Sequence, residues 1–110
     1  ALHRGFPYDR KGEQGPGEPP IGEVPIPLFH TASDGTVSAR YARSYITRAE
    51  QRSGTPLPPA AKAALDCFDR IALDPALLLE FHLRPGDIEF ASNYTVFHAR
   101  RGYTDHPDPA

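Results

Sequence analysis

The histidines are the side chains best suited to bind a metal or carry a proton in this chain, and His98 stands out for its setting. It closes a short apolar run in which Tyr94, Val96 and His98 alternate with Thr95, Phe97 and Ala99. Strand periodicity puts the first three on one face, with Arg100 continuing that face and Arg101 pointing away. An inward histidine on a rigid strand suits a metal ligand, Arg100 beside it suits contact with an anionic ligand, and Tyr94 suits the wall of a substrate cavity. The competing reading is ordinary: a satisfied sheet histidine, a packed aromatic and strand-end charges in water. His98, His106 and Asp108 also compose a donor set for a small zinc site. Its geometry is poor, because two of the three donors lie in a polar, proline-rich loop.

Other constellations are missing. The sequence has no glycine-rich phosphate loop and no nucleophile elbow. Ser, His and Asp occur without the arrangement of a triad. Cys67 is the single cysteine, so an internal disulfide or a thiolate cluster is ruled out within these residues. It falls in an apolar helical pattern and reads as a small buried hydrophobe.

Three strands are predicted to position His98: residues 77–83, 88–91 and 94–100. A tight turn at Arg84-Pro85-Gly86-Asp87, with proline and glycine in its centre, joins the first two. Ser92-Asn93 turns the chain again, Asn93 serving the turn by local hydrogen bonding. His82 falls on the polar face of its strand and is expected in solvent. Upstream, Ala61, Ala64, Leu65, Phe68, Ile71 and Ala72 recur at helical spacing, predicting an amphipathic helix over residues 60–73 that stops at Asp74-Pro75. A shorter helix is expected over residues 45–52, ended by Ser53-Gly54. Residues 24–30 and 36–41 read as a hairpin around Ser33-Asp34-Gly35, the first strand kept to an edge by Pro25 and Pro27. Residues 9–22 form a Gly/Pro-rich loop, read as a cover for the site or a structureless connection. The fold class that results is mainly β with one or two helices.

The run from Arg84-Pro85-Gly86-Asp87-Ile88 through Asn93 to Val96-Phe97-His98-Ala99-Arg100 resembles the C-terminal pattern of the TauD/TfdA family of iron(II)- and 2-oxoglutarate-dependent dioxygenases. There a Leu-x-Pro-Gly-Asp turn precedes Asn, a short apolar strand, and His with a small residue and Arg behind it. The opening Leu2-His3-Arg4-Gly5-Phe6-Pro7-Tyr8-Asp9-Arg10 and Arg43-Ser44-Tyr45-Ile46 extend the resemblance across nearly the whole chain. It implies that residues 1–110 are the C-terminal part of such a domain, cut at both ends, and part of a double-stranded β-helix, or jelly roll. It implies that His98 is the distal iron ligand, with O₂ and 2-oxoglutarate as cosubstrates. The products would be succinate, CO₂ and a hydroxylated small organic molecule. The family's other two ligands form a His-x-Asp/Glu pair on an earlier strand, and no such pair precedes His98. His106-Pro107-Asp108 has the spacing but follows His98, contrary to the family's order. The family's arginine for the far carboxylate of 2-oxoglutarate is expected beyond Ala110, which leaves Arg100 as the cofactor-contact candidate here. The isolated fragment is therefore expected to be inactive.

Composition narrows the classes. Net charge is −2 with both signs mixed along the chain, which argues against a nucleic-acid footprint. No apolar run is long enough to span a bilayer, no secretory leader is visible, and the expected compartment is the cytoplasm. Thirteen prolines and nine glycines favour turns over long helices. Unpaired edges of half a jelly roll would invite self-association into a homo-oligomer. The alternative to an enzyme fragment is a non-catalytic β-sandwich binding module derived from the same fold.

Overall fold

A computed structural model of the chain describes residues 1–102 and Thr104. Its elements run β1 (Phe29–Thr31), β2 (Val37–Ala39), α1 (Arg43–Ser53) and α2 (Pro59–Ala72). The two strands pair antiparallel, with Phe29 opposite Ala39, His30 opposite Ser38 and Thr31 opposite Val37. The hairpin forms around the expected turn, with its first strand at Phe29–Thr31 rather than over residues 24–30 and its second within residues 36–41. Its turn is held by the Asp34 carboxylate, which accepts the Thr36 N–H at 2.9 Å. Backbone bonds from Ala32 to the Thr36 carbonyl and from Gly35 to the Ala32 carbonyl complete it.

Both expected helices form. In α1 the buried residues are Ile46 and Ala49, three apart on one face. Gly54 stops the helix in the left-handed region at φ 67°, its N–H donating to the Glu50 carbonyl, an αL cap that spares the penalty a side chain would bring. Two prolines open α2: Pro58 precedes the first turn and Pro59 begins it, where a missing N–H costs nothing. The Glu50 carboxylate accepts the Leu57 N–H at 2.9 Å and so ties the link between the helices to α1.

The core collects Phe6, Tyr8, Leu28, Ile46 and Leu65, with Phe29, Tyr41, Leu57, Ala61 and Phe68 packed against it. The face of α2 is narrower than its spacing predicts. Leu65 is fully buried, Ile71 is 51% exposed, and Cys67 is exposed rather than buried. Two residues of helix place Cys67 about 200° from Leu65, on the far side.

The loop over residues 9–22 is not structureless. Isolated antiparallel bridges at Phe6 with Ile26 and Asp9 with Ile21 close its base. Arg10 pairs with Glu18 across it, and the Arg10 N–H donates to the Pro20 carbonyl at 2.7 Å. Lys11 reaches α1, donating to the Ser44 hydroxyl at 2.8 Å and lying 4.0 Å from the Tyr45 ring centroid.

The mainly β expectation needs correcting. Helices α1 and α2 hold 11 and 14 residues against three in each strand. The three strands expected over residues 77–100 are not formed among the described residues. Strands need neighbours for their backbone groups and cover for their apolar face; among the described residues no strand lies beside this stretch. Every residue from 73 to 102 is exposed. No helix among the described residues is long and apolar enough to cross a membrane.

Candidate functional site

The segment that carries His98 is organised by turns. Asp74 accepts the Ala76 N–H on its carboxylate at 2.9 Å and the Leu77 N–H on its carbonyl at 2.9 Å, so the chain leaves α2 sharply. The predicted Arg84-Pro85-Gly86-Asp87 turn is present. The Asp87 N–H donates to the Arg84 carbonyl at 2.9 Å, the Arg84 N–H returns a bond to the Asp87 carboxylate at 2.8 Å, and Gly86 sits at φ 94°. A positive φ in the third position needs glycine there. The Ser92 carbonyl then accepts the N–H groups of Thr95 and Val96, each at 3.1 Å.

That last turn changes the setting of Tyr94. It lies within the turn rather than on a strand face, and is 79% exposed. The local bonds from Ser92 outcompete a strand that has no neighbour. His98, Arg100 and His82 are exposed, as is every residue from 73 to 102, so the exposure of His82 does not reflect a strand face. Arg101 also lies in solvent and pairs with Glu80, Nε to Oε1 at 2.6 Å, drawing the two ends of the segment together. His106 and Asp108 lie outside the described residues, so the zinc set is not placed.

The imidazole of His98 is a ligand type that iron(II) accepts, and its exposure leaves it open to donors from outside. It fits one corner of a metal centre. No group of three His, Cys, Asp or Glu side chains that could hold a metal ion occurs among the described residues. The described residues thus offer His98 as a single candidate and do not by themselves make a metal site.

One ring contact joins this segment to the helices. Phe97, the residue before His98, meets Phe68 of α2 edge to face, centroids 5.3 Å apart and planes at 80°. Phe68 also meets Tyr41 at 4.6 Å and Phe29 at 5.9 Å, both edge to face. The Tyr41 hydroxyl donates to the Asp69 carboxylate. Arg43 spans both acids of α2, Nη1 to Asp69 at 3.1 Å and Nη2 to Asp66 at 2.7 Å. Burial, and then the hydrogen bond to Asp69, push the Tyr41 phenol up to about 12, so it stays a protonated donor at any ordinary pH. Sequence reading missed this cluster. Asp66 and Asp69 stand three apart, and that spacing on one helical face was the available signal.

Asp9 was missed too. Its side chain is buried, with Arg52 Nε at 2.6 Å and the Lys11 N–H donating at 2.7 Å. The hydrogen bond from Arg52, and next that from the Lys11 backbone, hold its carboxyl below the usual range. Beside it runs a cleft of about 730 Å³ lined by Tyr8, Arg10, Glu13, Glu18, Arg40 and Tyr45 among others. His98, Tyr94 and Arg100 are not in its lining, so loop and histidine do not share this cleft.

The motif around His98 and the pairing of helices and hairpin now meet an independent comparison. The family described as taurine catabolism dioxygenase TauD, TfdA family matches residues 4–109, and the chain belongs to that family. Among individual relatives, FR-33289 synthase of Streptomyces rubellomurinus is 33% identical over 108 residues, covering 97% of this chain and 31% of its own length. The chain thus spans about a third of the curated relative it matches.

Proposed function

We propose that these residues are the C-terminal part of an iron(II)- and 2-oxoglutarate-dependent dioxygenase that hydroxylates a small organic substrate in the cytoplasm, and that His98 supplies one of its iron ligands. The family match across residues 4–109 carries this reading, because it takes in the whole run from Arg84 to Arg100. The other two ligands and the arginine for 2-oxoglutarate come from sequence outside these 110 residues. Support comes from the share of the relative that the match leaves over and from the apolar side chains at 77–97 that stand in solvent.

Iron, once held by His98 and ligands from outside these residues, would supply the redox chemistry by which one atom of O₂ would enter the product hydroxyl and the other succinate, with loss of CO₂. The part of this chain is narrower. His98 donates a lone pair from its imidazole, which must be neutral to do so. Arg100 is placed two residues on, where its guanidinium suits a carboxylate, and Tyr94 is a candidate for the substrate wall. The apolar residues 77–97 form strands of a jelly roll once neighbouring strands pair with them, which shuts water out of the reaction. Neither nucleic acid nor membrane is a partner in this reading, and self-association into a homo-oligomer through unpaired edges belongs to the isolated fragment.

The test uses the parent enzyme with iron(II), 2-oxoglutarate and O₂, following succinate. His98→Ala is expected to lower succinate formation by at least about 100-fold, the upper range even for partners of a metal ligand. Unchanged turnover in a folded variant would remove His98 from the metal. A parent with no His-x-Asp/Glu pair upstream would return the chain to a non-catalytic binding module.

A further inference from the structure

We propose that Phe68 is a positioning residue for His98, acting through Phe97, and that Tyr41 and Asp69 set the orientation of Phe68. This rests on the reading of His98 as a metal ligand, and adds the means by which the fold holds it.

A metal ligand must stay within about 0.5 Å of its working position. Among the described residues no strand ladder fixes the backbone of the segment that bears His98, and every residue from 73 to 102 is exposed; the turn at Ser92 and the Arg101–Glu80 pair act within the segment. Phe97 ties the segment to the helices. Its ring is 51% exposed, the remainder covered, and its edge-to-face partner is Phe68. Phe97 is bonded directly to His98, which puts their Cα atoms about 3.8 Å apart. Seating Phe97 on α2 therefore narrows where the backbone that enters His98 can lie.

Phe68 is itself held from three sides. Phe29 approaches it from β1, Tyr41 from just beyond β2, and Phe97 from the ligand segment. Tyr41 cannot swing away without giving up Asp69, and Asp69 is held in turn by Arg43 at the start of α1. β1, the stretch after β2, α2 and the His98 segment thus meet at one ring, and α1 joins through the Arg43–Asp69 bond. Aromatic pairs have preferred geometry, offset or edge to face, so the cluster transmits orientation as well as contact.

The probe is Co(II) alone, titrated into the parent protein and followed by visible absorption, with circular dichroism reporting the folded fraction. Phe68→Ala is expected to weaken Co(II) binding about tenfold, the lower range for residues that orient metal ligands. Phe97→Ala should do the same. The double variant should be no weaker than either single one, because both remove one contact. Phe68→Leu, which keeps bulk, should recover part of the loss. Tyr41→Phe keeps the ring and drops the Asp69 bond; it should weaken binding less and in the same direction. It carries the test if Phe68→Ala does not fold. Fully folded Phe68→Ala with unchanged Co(II) affinity overturns the proposal while His98→Ala still abolishes binding. Unchanged affinity in His98→Ala overturns both this proposal and the reading on which it rests.

Discussion

Residues 1–72 and residues 73–102 are built on different terms. The first stretch buries Phe6, Tyr8, Leu28, Ile46, Ala49 and Leu65 and locks them with long-range bonds such as Arg52 to Asp9 and Arg43 to Asp69. The second has comparable apolar side chains, Leu79 and Phe90 among them, at 87% and 93% exposure. Both lengths contain well-made turns. The difference lies in partners: apolar surface stabilises a fold only when something covers it. His98 sits in the length without cover, so the chemistry of the family depends on what the first 72 residues alone do not provide.

This contrast is broken most directly by truncating one leucine in each stretch. Leu65→Ala, at a fully buried site, should cost about 2–5 kcal/mol, read as a drop in the urea midpoint of the chain. Leu79→Ala should fall within about 0.5 kcal/mol of the unaltered chain. Equal losses would mean that residues 73–102 pack in solution, and the division would fail. In the parent protein the contrast should shrink, with Leu79→Ala becoming clearly destabilising once neighbouring strands cover it.

The same division governs what the sequence made legible. Helices α1 and α2, the hairpin, and the Arg84–Asp87 turn are dictated by residues close in sequence: prolines entering, glycine leaving, an aspartate folding back. All were readable. The strands over residues 77–100 were read from correct alternation, but a strand is completed by hydrogen bonds to a distant neighbour, which local pattern does not reveal. Cys67 was misplaced because an apolar residue in an amphipathic helix need not share its buried stripe. Asp9 looked like any loop aspartate; its role comes from Arg52, 43 positions away. The family was legible through the motif around His98, while the ring contact of Phe97 with Phe68 was not.

A second contrast sets the long-range ion pair of the folded part against local turn carboxylates. Asp9 has its carboxyl lowered by Arg52 first and the Lys11 N–H second, with Arg48 adding charge from the same helix. A lowered folded value means that its contribution is fully present above the unfolded pKa, about 4, and is lost as pH falls through the lower folded value. Asp9→Asn should therefore be less stable than the unaltered chain at pH 7, with the gap closing in acid. Thermal melts from pH 7 downward measure it. A gap of constant size would mean that Asp9 contributes by shape and hydrogen bonding rather than charge. Asp34 is also lowered, chiefly by the Thr36 N–H, but its bond lies within one exposed turn. Asp34→Asn should show a smaller pH-dependent gap than Asp9→Asn.

The finest comparison uses two glycines that are alike locally. Gly54 and Gly86 both have positive φ, 67° and 94°, and a Cβ built on either would meet open space. Backbone strain is then the only direct cost of alanine, about 1 kcal/mol for a left-handed residue. Gly54 ends α1, whose Ile46 and Ala49 are buried in the core, so strain there is felt in global unfolding. Gly86 lies in a turn whose flanks are exposed, so its strain is relieved by local opening without unfolding the body. Gly54→Ala should lower chain stability by about 1 kcal/mol, and Gly86→Ala by too little to measure. In the parent, where the turn at Gly86 would join paired strands, the two alanines should converge. Persistent inequality there would mean that residues 77–91 stay uncovered in the whole protein, and the jelly-roll reading would fall.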